Sequence, residues 1–203
     1  MEGCTVKERF PPLEHEQLTP AQRSAAASIR EAGTRAFIAG ADTKRLGAMM
    51  DTLLRRPDLL LSVLGVSDKL RENAVIPKHL KELAILCVAR QQNGQYAWFQ
   101  HETLARSAGL DPRIIESIRE GQRPPGMKRD ETVVYDFVTQ WLSQHSVTDE
   151  TFDALRALFG DETIVELLVI VGYFWMGAMI LNVAQVPLPG AAPLPLPIRP
   201  SRQ

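Results

Sequence analysis

The fold is decided by residues 80–110, which read LKELAILCVARQQNGQYAWFQHETLARSAGL. The first part of this stretch is apolar on almost every side of the helical repeat, which predicts a central, buried helix from Lys78 to about Gln91. An Asn-Gly dipeptide at 93–94 then breaks that helix. The second part predicts another helix that ends at Gly109, where glycine suits a left-handed cap.

Two polar residues stand out in this apolar pair of helices. A buried carboxylate such as Glu82 costs several kcal/mol unless it is paired or hydrogen-bonded. Glu82 therefore either reaches solvent or an arginine such as Arg90, or faces a pocket. His101 has Ala97 and Ala105 one turn away on each side, and such small neighbours suit either a pocket or close helix packing.

The rest of the chain predicts an all-α fold, because apolar residues recur every three or four positions and alternating strand patterns are nearly absent. Capping residues, prolines and glycines give the helix boundaries. The predicted helices are Pro20 to about Arg35, Asp42–Arg55, a helix from Pro57 through Leu64, the two helices above, one from Pro112, Arg129–Gln144, one from the Thr148 cap to Gly160, and a last one from Asp161.

The last helix contains the uncharged run LLVIVGYFWMGAMIL and stays uncharged to Val186. This length overlaps that of a membrane span. Glu166, Gly172 and Asn182 interrupt the apolar segment, and aromatic and basic anchors do not flank both ends. We therefore expect a buried or subunit-interface helix and no membrane insertion, with a membrane span as the alternative.

Length and composition predict one domain. The chain has 203 residues, of which 45% are apolar, enough for one core. We expect an N-terminal extension at 1–17, a helical domain at 18–186, and a proline-rich tail of extended, polyproline-like character at 187–203.

Charge and cysteine content exclude several classes of partner. The net charge of −1 leaves no basic stripe for phosphates, so we expect no nucleic-acid partner. The N-terminus lacks the basic flank and apolar core of a secretory signal, and the two cysteines, Cys4 and Cys87, predict no disulfide framework. A cytoplasmic protein is the expectation.

Metal and cofactor sites are weakly indicated. His79 and Glu82 have a ligand-like spacing of three residues, but no second Glu-x-x-His pair completes a bundle-type site. Phosphate loops and nucleophile elbows are absent from the sequence. We therefore expect neither a metal nor an organic cofactor. The aromatic run Tyr173-Phe174-Trp175 predicts core or interface packing, with pocket lining as the alternative.

Three segments together resemble the carboxymuconolactone decarboxylase family, which includes the alkylhydroperoxidase D-like proteins. They are Lys81-Glu82-Leu83 followed by AILCVAR, then QYAWFQHETLARSAGL, and then IVELLVIVGYFWMGAMILN. The similarity runs from about Leu18 to Pro189. It implies an all-helical bundle, assembly into trimers or hexamers through the long helices, and an active-site pocket near a subunit interface.

The resemblance also implies which chemistry is retained. The peroxidase branch of the family carries a CxxC motif, and the matching positions here are Gly94 and Ala97. A peroxidatic nucleophile needs a thiolate, so we expect no peroxidase activity. Glu82 and His101 keep the matching positions. Cys87 lies on the wrong helix to replace the missing thiols.

By this resemblance the protein is a cofactor-independent lyase (decarboxylase) or isomerase acting on a cyclic small molecule that bears a carbonyl or carboxyl group. His101 would supply a proton and Glu82 would orient it. Arg90 or Tyr96 would hold an anionic or phenolic group of the substrate, and Trp98 would line the aromatic pocket. The alternative is a non-catalytic small-molecule-binding or scaffold protein of the same fold.

Overall fold

The structure is a computed structural model that describes residues 7–31, 46–72 and 74–197. The described residues are helical and contain no strand, which confirms the all-α prediction. The helices are α1 Pro20–Glu31, α2 Ala48–Leu53, α3 Pro57–Glu72, α4 Lys78–Gln91, α5 Gln95–Ser107, α6 Pro112–Arg119, α7 Arg129–Gln144 and α8 Asp149–Ala184, with short 3-10 turns at His15–Gln17 and Pro189–Ala191.

Local capping signals explain several helix starts. Thr19 and Gln22 form a reciprocal box at the start of α1, in which each backbone N–H donates to the other side chain at 2.9 and 3.3 Å. The side chain of Asp111 accepts the N–H of Arg113 at 2.8 Å, and that of Thr148 accepts the N–H of Thr151 at 3.3 Å.

The early helices differ from the predictions in their extent. Helix α3 continues to Glu72, beyond the predicted Leu64, because Leu70 also packs against the main core. The predicted end of the first helix at Arg35 and the predicted start of the second at Asp42 lie outside the described residues.

Helix α4 is the centre of the main core. It packs against α5, α6, α7 and α8, and nine of its fourteen residues are buried. A smaller apolar cluster joins α1 and α3. Because both faces of α4 are covered, its apolar residues gain from burial on every side, at about 25 cal/mol per Å². The side chain of Glu82 is therefore held in a mainly apolar environment.

Helix α8 bends sharply at Gly160, where the sequence predicts a helix end. The backbone there has φ 76° and ψ 175°, a combination that is almost restricted to glycine. The residues on both sides remain helical, so the two predicted helices form one interrupted helix.

We expect Gly160→Ala to lower the free energy of unfolding by about 1–3 kcal/mol, because a Cβ atom strains this backbone conformation. The cost comes from the backbone, since a Cβ at this position would meet no atom within 4 Å. The matched control is Gly65→Ala on α3, which also has open space but no positive φ. There alanine should stabilise by about 0.5–1 kcal/mol. Urea unfolding would measure both, and equal effects would contradict the strain.

Polar side chains fix the apolar part of α8 against its neighbours. The carboxylate of Glu166 accepts the backbone N–H groups of Val75 and Ile76 at 2.9 and 2.8 Å. The amide of Asn182 donates to the carbonyl of Gln92 at 2.9 Å. Glu166 and Asn182 thus bind the segments that flank α4 and orient α8 on the core.

Helix α8 is the one helix among the described residues that is long and apolar enough to cross a membrane, judged by length and composition. About a third of its most apolar window is buried in the protein. The large apolar side chains of α8 that are exposed beyond Gly160 are Val165, Leu168, Val169, Met179 and Val183. The buried third belongs to the same core as α4.

Both terminal segments contact the helical domain. The backbone N–H of Arg9 donates to the carbonyl of Ala184 at 2.8 Å and its guanidinium donates to that of Val183 at 3.2 Å, at the C-terminus of α8. In the proline-rich segment, Leu196 is buried and exchanges two hydrogen bonds with the side chain of Gln95. The tail as far as residue 197 therefore lies on its own domain.

Candidate functional site

Glu82 and His101 form a hydrogen-bonded pair between α4 and α5. The two helices follow each other across the turn at 92–94 and pack side by side, which brings the residues together. Oε2 of Glu82 lies 2.7 Å from Nδ1 of His101, and both side chains are largely buried. The buried carboxylate thus has its partner. This settles the open alternative in favour of the histidine rather than Arg90 or bulk solvent.

The carboxylate also determines which imidazole nitrogen can act. An ionised carboxylate only accepts hydrogen bonds, so Nδ1 of His101 carries a proton and Nε2 is left for other partners. Nε2 makes no hydrogen bond to any side chain in the described ranges. The edge of the Phe174 ring packs against the imidazole, with ring centroids 4.8 Å apart at 83°. The ring is therefore oriented from two sides.

The pair lies in the wall of a cavity of about 210 Å³ between α2, α3, α4, α5 and α8. Most of the lining surface is apolar, so the cavity suits the ring of a small molecule. The lining residues are Gly47, Met49, Met50, Leu64, Ser67, Leu70, Arg71, Lys81, Glu82, Ile85, Gln100, His101, Leu104, Tyr173, Phe174 and Leu181.

The three residues predicted to bind substrate do not line this cavity. Trp98 is fully buried in the core, where its indole N–H donates to Glu102 at 2.9 Å. Tyr96 is buried in the same core cluster. Arg90 lines a different cavity, which it shares with Tyr135. The structure therefore gives no geometric support to these three assignments.

Several residues of the cavity lining could not be recognised from the sequence. Met49, Met50 and Leu64 come from helices that are distant in sequence, and only the tertiary fold brings them to His101. Tyr173 and Phe174 do line the cavity, so the pocket alternative for these two aromatic residues is the better one. No local sequence signal distinguishes such residues from ordinary core.

The two positions that match the cysteines of the peroxidase branch hold glycine and alanine in this chain. Gly94 and Ala97 pack closely, since a Cβ on Gly94 would lie 3.6 Å from that of Ala97 and 3.4 Å from that of Ala178. Burial raises the pKa of the Cys87 thiol to about 12. Cys87 is therefore protonated at neutral pH and is a poor nucleophile.

We expect Cys87 to resist alkylation in the folded protein. With a pKa of about 12, the thiolate fraction at pH 8 is about one part in ten thousand. Iodoacetamide followed by mass spectrometry should therefore label Cys87 only after unfolding in urea. A Cys4→Ser variant isolates this thiol, and rapid labelling of that variant in native buffer would contradict the assignment.

Metal ligands are not clustered in the part of the chain that the structure describes. No group of three histidine, cysteine, aspartate or glutamate side chains is close enough there to hold a metal ion. His79 faces Asp130 at 3.6 Å instead of sharing a site with Glu82. The described residues thus offer the Glu82–His101 pair as their main candidate for chemistry.

Comparison with solved structures identifies the fold. One similar structure is a protein of unknown function from Agrobacterium tumefaciens, named as a candidate antioxidant defence protein AhpD, with 19% identity and a TM-score of 0.60 over 68% of this chain and 94% of that one. Another is an alkylhydroperoxidase AhpD core protein from Ralstonia eutropha JMP134, described as an uncharacterised peroxidase-related protein. It is 18% identical, with a TM-score of 0.65 over 86% of this chain and 88% of that one.

A third similar structure is the debrominase Bmp8 in complex with 2,3,4-tribromopyrrole. It is 16% identical, with a TM-score of 0.65 over 92% of this chain and 94% of that one. No family sequence model and no curated protein matches this sequence. The structural neighbours establish the fold at low sequence identity.

Proposed function

We propose that this protein, which has the alkylhydroperoxidase D-like fold, is a cofactor-independent lyase or isomerase that uses acid–base chemistry. Its substrate is a cyclic small molecule that bears a carbonyl or carboxyl group. The observation that carries this proposal is the 2.7 Å contact between Glu82 and His101 in the wall of a largely apolar cavity.

In a decarboxylation, the bond between the ring carbon and the carboxylate carbon breaks and carbon dioxide leaves. The bonding electron pair moves into the carbonyl system of the substrate itself, so no separate electron acceptor is needed. Nε2–H of the protonated His101 then gives its proton to the ring carbon. Glu82 holds the ring in place and stabilises the imidazolium before the transfer. The apolar walls favour loss of the charged carboxylate by excluding water.

In an isomerisation, the same groups act without loss of carbon. Neutral His101 takes a proton through Nε2 from the carbon beside a carbonyl, and the electron pair moves onto the carbonyl oxygen. The resulting imidazolium returns the proton at another carbon of the conjugated system. Glu82 again accepts from Nδ1–H in both states. One arrangement therefore supports both reaction types.

The comparisons support a ring-shaped ligand. The debrominase Bmp8 is an enzyme of this fold and was solved with 2,3,4-tribromopyrrole, a five-membered aromatic ring. The cavity beside His101, about 210 Å³ in volume, is of a size suited to one small ring. The rings of Tyr173 and Phe174 offer it aromatic contacts. The Glu82–His101 pair favours catalysis over the alternative of a non-catalytic binding protein.

A panel assay would test the proposed function. Cyclic keto acids, lactones and their neutral analogues are incubated with the protein in D₂O, and proton NMR follows both carbon dioxide loss and deuterium uptake beside the carbonyl. We expect at least one compound to exchange or decarboxylate in a reaction that needs His101. A panel that binds without exchange or turnover would favour the binding-protein alternative.

We also propose that the protein is a soluble, cytoplasmic homo-oligomer. Several exposed apolar side chains lie along α8 between Val165 and Val183. Single exposed apolar residues are normal, but a row of them on one helix is typical of an interaction surface. A trimer or hexamer would cover it. Light scattering in detergent-free buffer should give a mass that is a multiple of the 22.6 kDa chain. A monodisperse monomer would contradict this, and a requirement for detergent would favour membrane insertion.

A further inference from the structure

The cavity beside His101 contains a cation that the proposed acid–base chemistry does not use. Lys81 immediately precedes Glu82 on α4, and its side chain lines the same cavity as Glu82 and His101. In the sequence it resembles a solvent-facing lysine at the start of a helix. The fold instead covers this face of α4, and Lys81 is only partly exposed.

The charges around the cavity are unevenly compensated. The guanidinium of Arg71, which also lines the cavity, donates to the carboxylate of Asp68 at 2.9 Å. Glu82, the one carboxylate that the described residues contribute to the lining, is bonded to His101. Lys81 makes no hydrogen bond or ion pair with any residue in the described ranges. Of the two cations in the described lining, Arg71 is thus paired with Asp68, and the ammonium group of Lys81 has no partner within the described ranges.

A partly desolvated ammonium group beside apolar walls attracts anions more strongly than one in bulk water. From this placement we infer that Lys81 is the anion anchor of the cavity and that the ligand is a cyclic compound with an anionic substituent, a carboxylate in the first instance. The inference rests on the proposed function for the reaction itself. Lys81 takes the role predicted for Arg90, that of holding the anionic group, because Arg90 lies at another cavity.

The carboxylate bound by Lys81 is a substituent that stays on the ring during the reaction, not the group that leaves as carbon dioxide. An ion pair with Lys81 stabilises a carboxylate in the ground state, which opposes its departure as carbon dioxide. A leaving carboxylate would instead need the apolar part of the cavity, near Phe174 and Leu181. Lys81 is therefore a binding residue that sets the orientation of the ring. It presents the reacting carbon to Nε2 of His101.

Benzoate and benzamide serve as probes, since they share a ring and differ in charge. Ligand-observed NMR titrations at pH 7 and low salt would measure the affinity of both for the full-length protein. We expect benzoate to bind more tightly than benzamide, and Lys81→Gln to weaken benzoate about five- to twentyfold while benzamide is unchanged. Lys81→Arg keeps the charge and should retain most of the benzoate affinity.

The matched control is Lys78→Gln, which removes the same charge from the same helix at an exposed position outside the cavity lining. It should leave benzoate binding unchanged. Equal loss in Lys78→Gln and Lys81→Gln, or no loss in Lys81→Gln, would overturn the anchor, as would the absence of benzoate binding to the native protein. His101→Gln can still donate a hydrogen bond toward Glu82 and should keep benzoate binding, so failure of the anchor and failure of the acid–base proposal give different results.

Discussion

His101→Ala is expected to lower turnover of the compound that the panel identifies by at least about a hundredfold. The imidazole is the group that donates or accepts the proton at carbon, and no other histidine in the described part of the chain lines the cavity. The value of kcat should fall more than the affinity changes, because the lost contact acts mainly in the transition state. Unchanged turnover in this variant would remove the proposed mechanism.

Glu82→Gln should cost a similar factor although it does not touch the reacting carbon. The amide can still approach Nδ1 of His101, but it lacks the charge that stabilises the imidazolium. Because the two side chains act as a unit, the double variant should lose little beyond the worse single variant. Strictly additive losses would show that Glu82 and His101 act independently.

A third variant separates chemistry from folding. His101→Ala leaves the carboxylate of Glu82 buried without its partner, which costs about 1–3 kcal/mol of stability. His101→Gln can still donate a hydrogen bond toward Glu82 but cannot exchange protons at neutral pH. We expect it to be more stable than His101→Ala and equally inactive. Recovery of activity in His101→Gln would show that position 101 has only a structural role.

The helix boundaries could be predicted because their signals are local. The caps at Thr19, Asp111 and Thr148 depend on hydrogen bonds within three residues, and these are visible in the sequence. The full length of α3 could not be predicted, since its last turns pack through tertiary contacts. The same holds for Gly160, where the glycine was visible but a bend within one helix was not.

The candidate site was predictable in part. Glu82 and His101 were singled out by their polarity in an apolar stretch and by the family resemblance, and the structure brings them together. Tyr96 was assigned to the substrate site by the family resemblance, which covers a stretch that also contains His101. Five residues along a helix correspond to a rotation of about 140°, so two such residues face different directions. Proximity in sequence was therefore a poor guide.

The position of Lys81 in a cavity wall could not be predicted from the sequence either. A lysine in the first turns of a helix is usually solvated, and nothing in the local sequence shows that Lys81 lines a cavity. The other walls of this cavity come from residues 47–71, α5 and α8, and their placement is a tertiary property. Charged groups that become cavity residues in this way are found only once the fold is known.

Trp98→Ala is expected to lower the free energy of unfolding by about 3–5 kcal/mol, because it removes a fully buried indole from the main core. The indole also donates to the carboxylate of Glu102, which accepts hydrogen bonds from Arg106 and Arg119 as well. Burial alone would raise the pKa of Glu102, but hydrogen bonds from Arg106, Arg119 and Trp98 outweigh it and lower the pKa. The guanidinium of Arg119 packs over the indole at 5.8 Å.

Trp98→Phe tests whether this residue belongs to the core or to the substrate site. Phenylalanine keeps most of the buried ring and loses the hydrogen bond to Glu102, so the expected cost is about 1–2 kcal/mol. Since Trp98 does not line the cavity of His101, kcat and the affinity for ring compounds should stay within about twofold of the native protein. Urea unfolding and turnover measured on the same preparations give both quantities. If Trp98→Phe keeps native stability but loses substrate affinity, Trp98 belongs to the substrate site, because only direct contact between Trp98 and the substrate ring would then explain the loss.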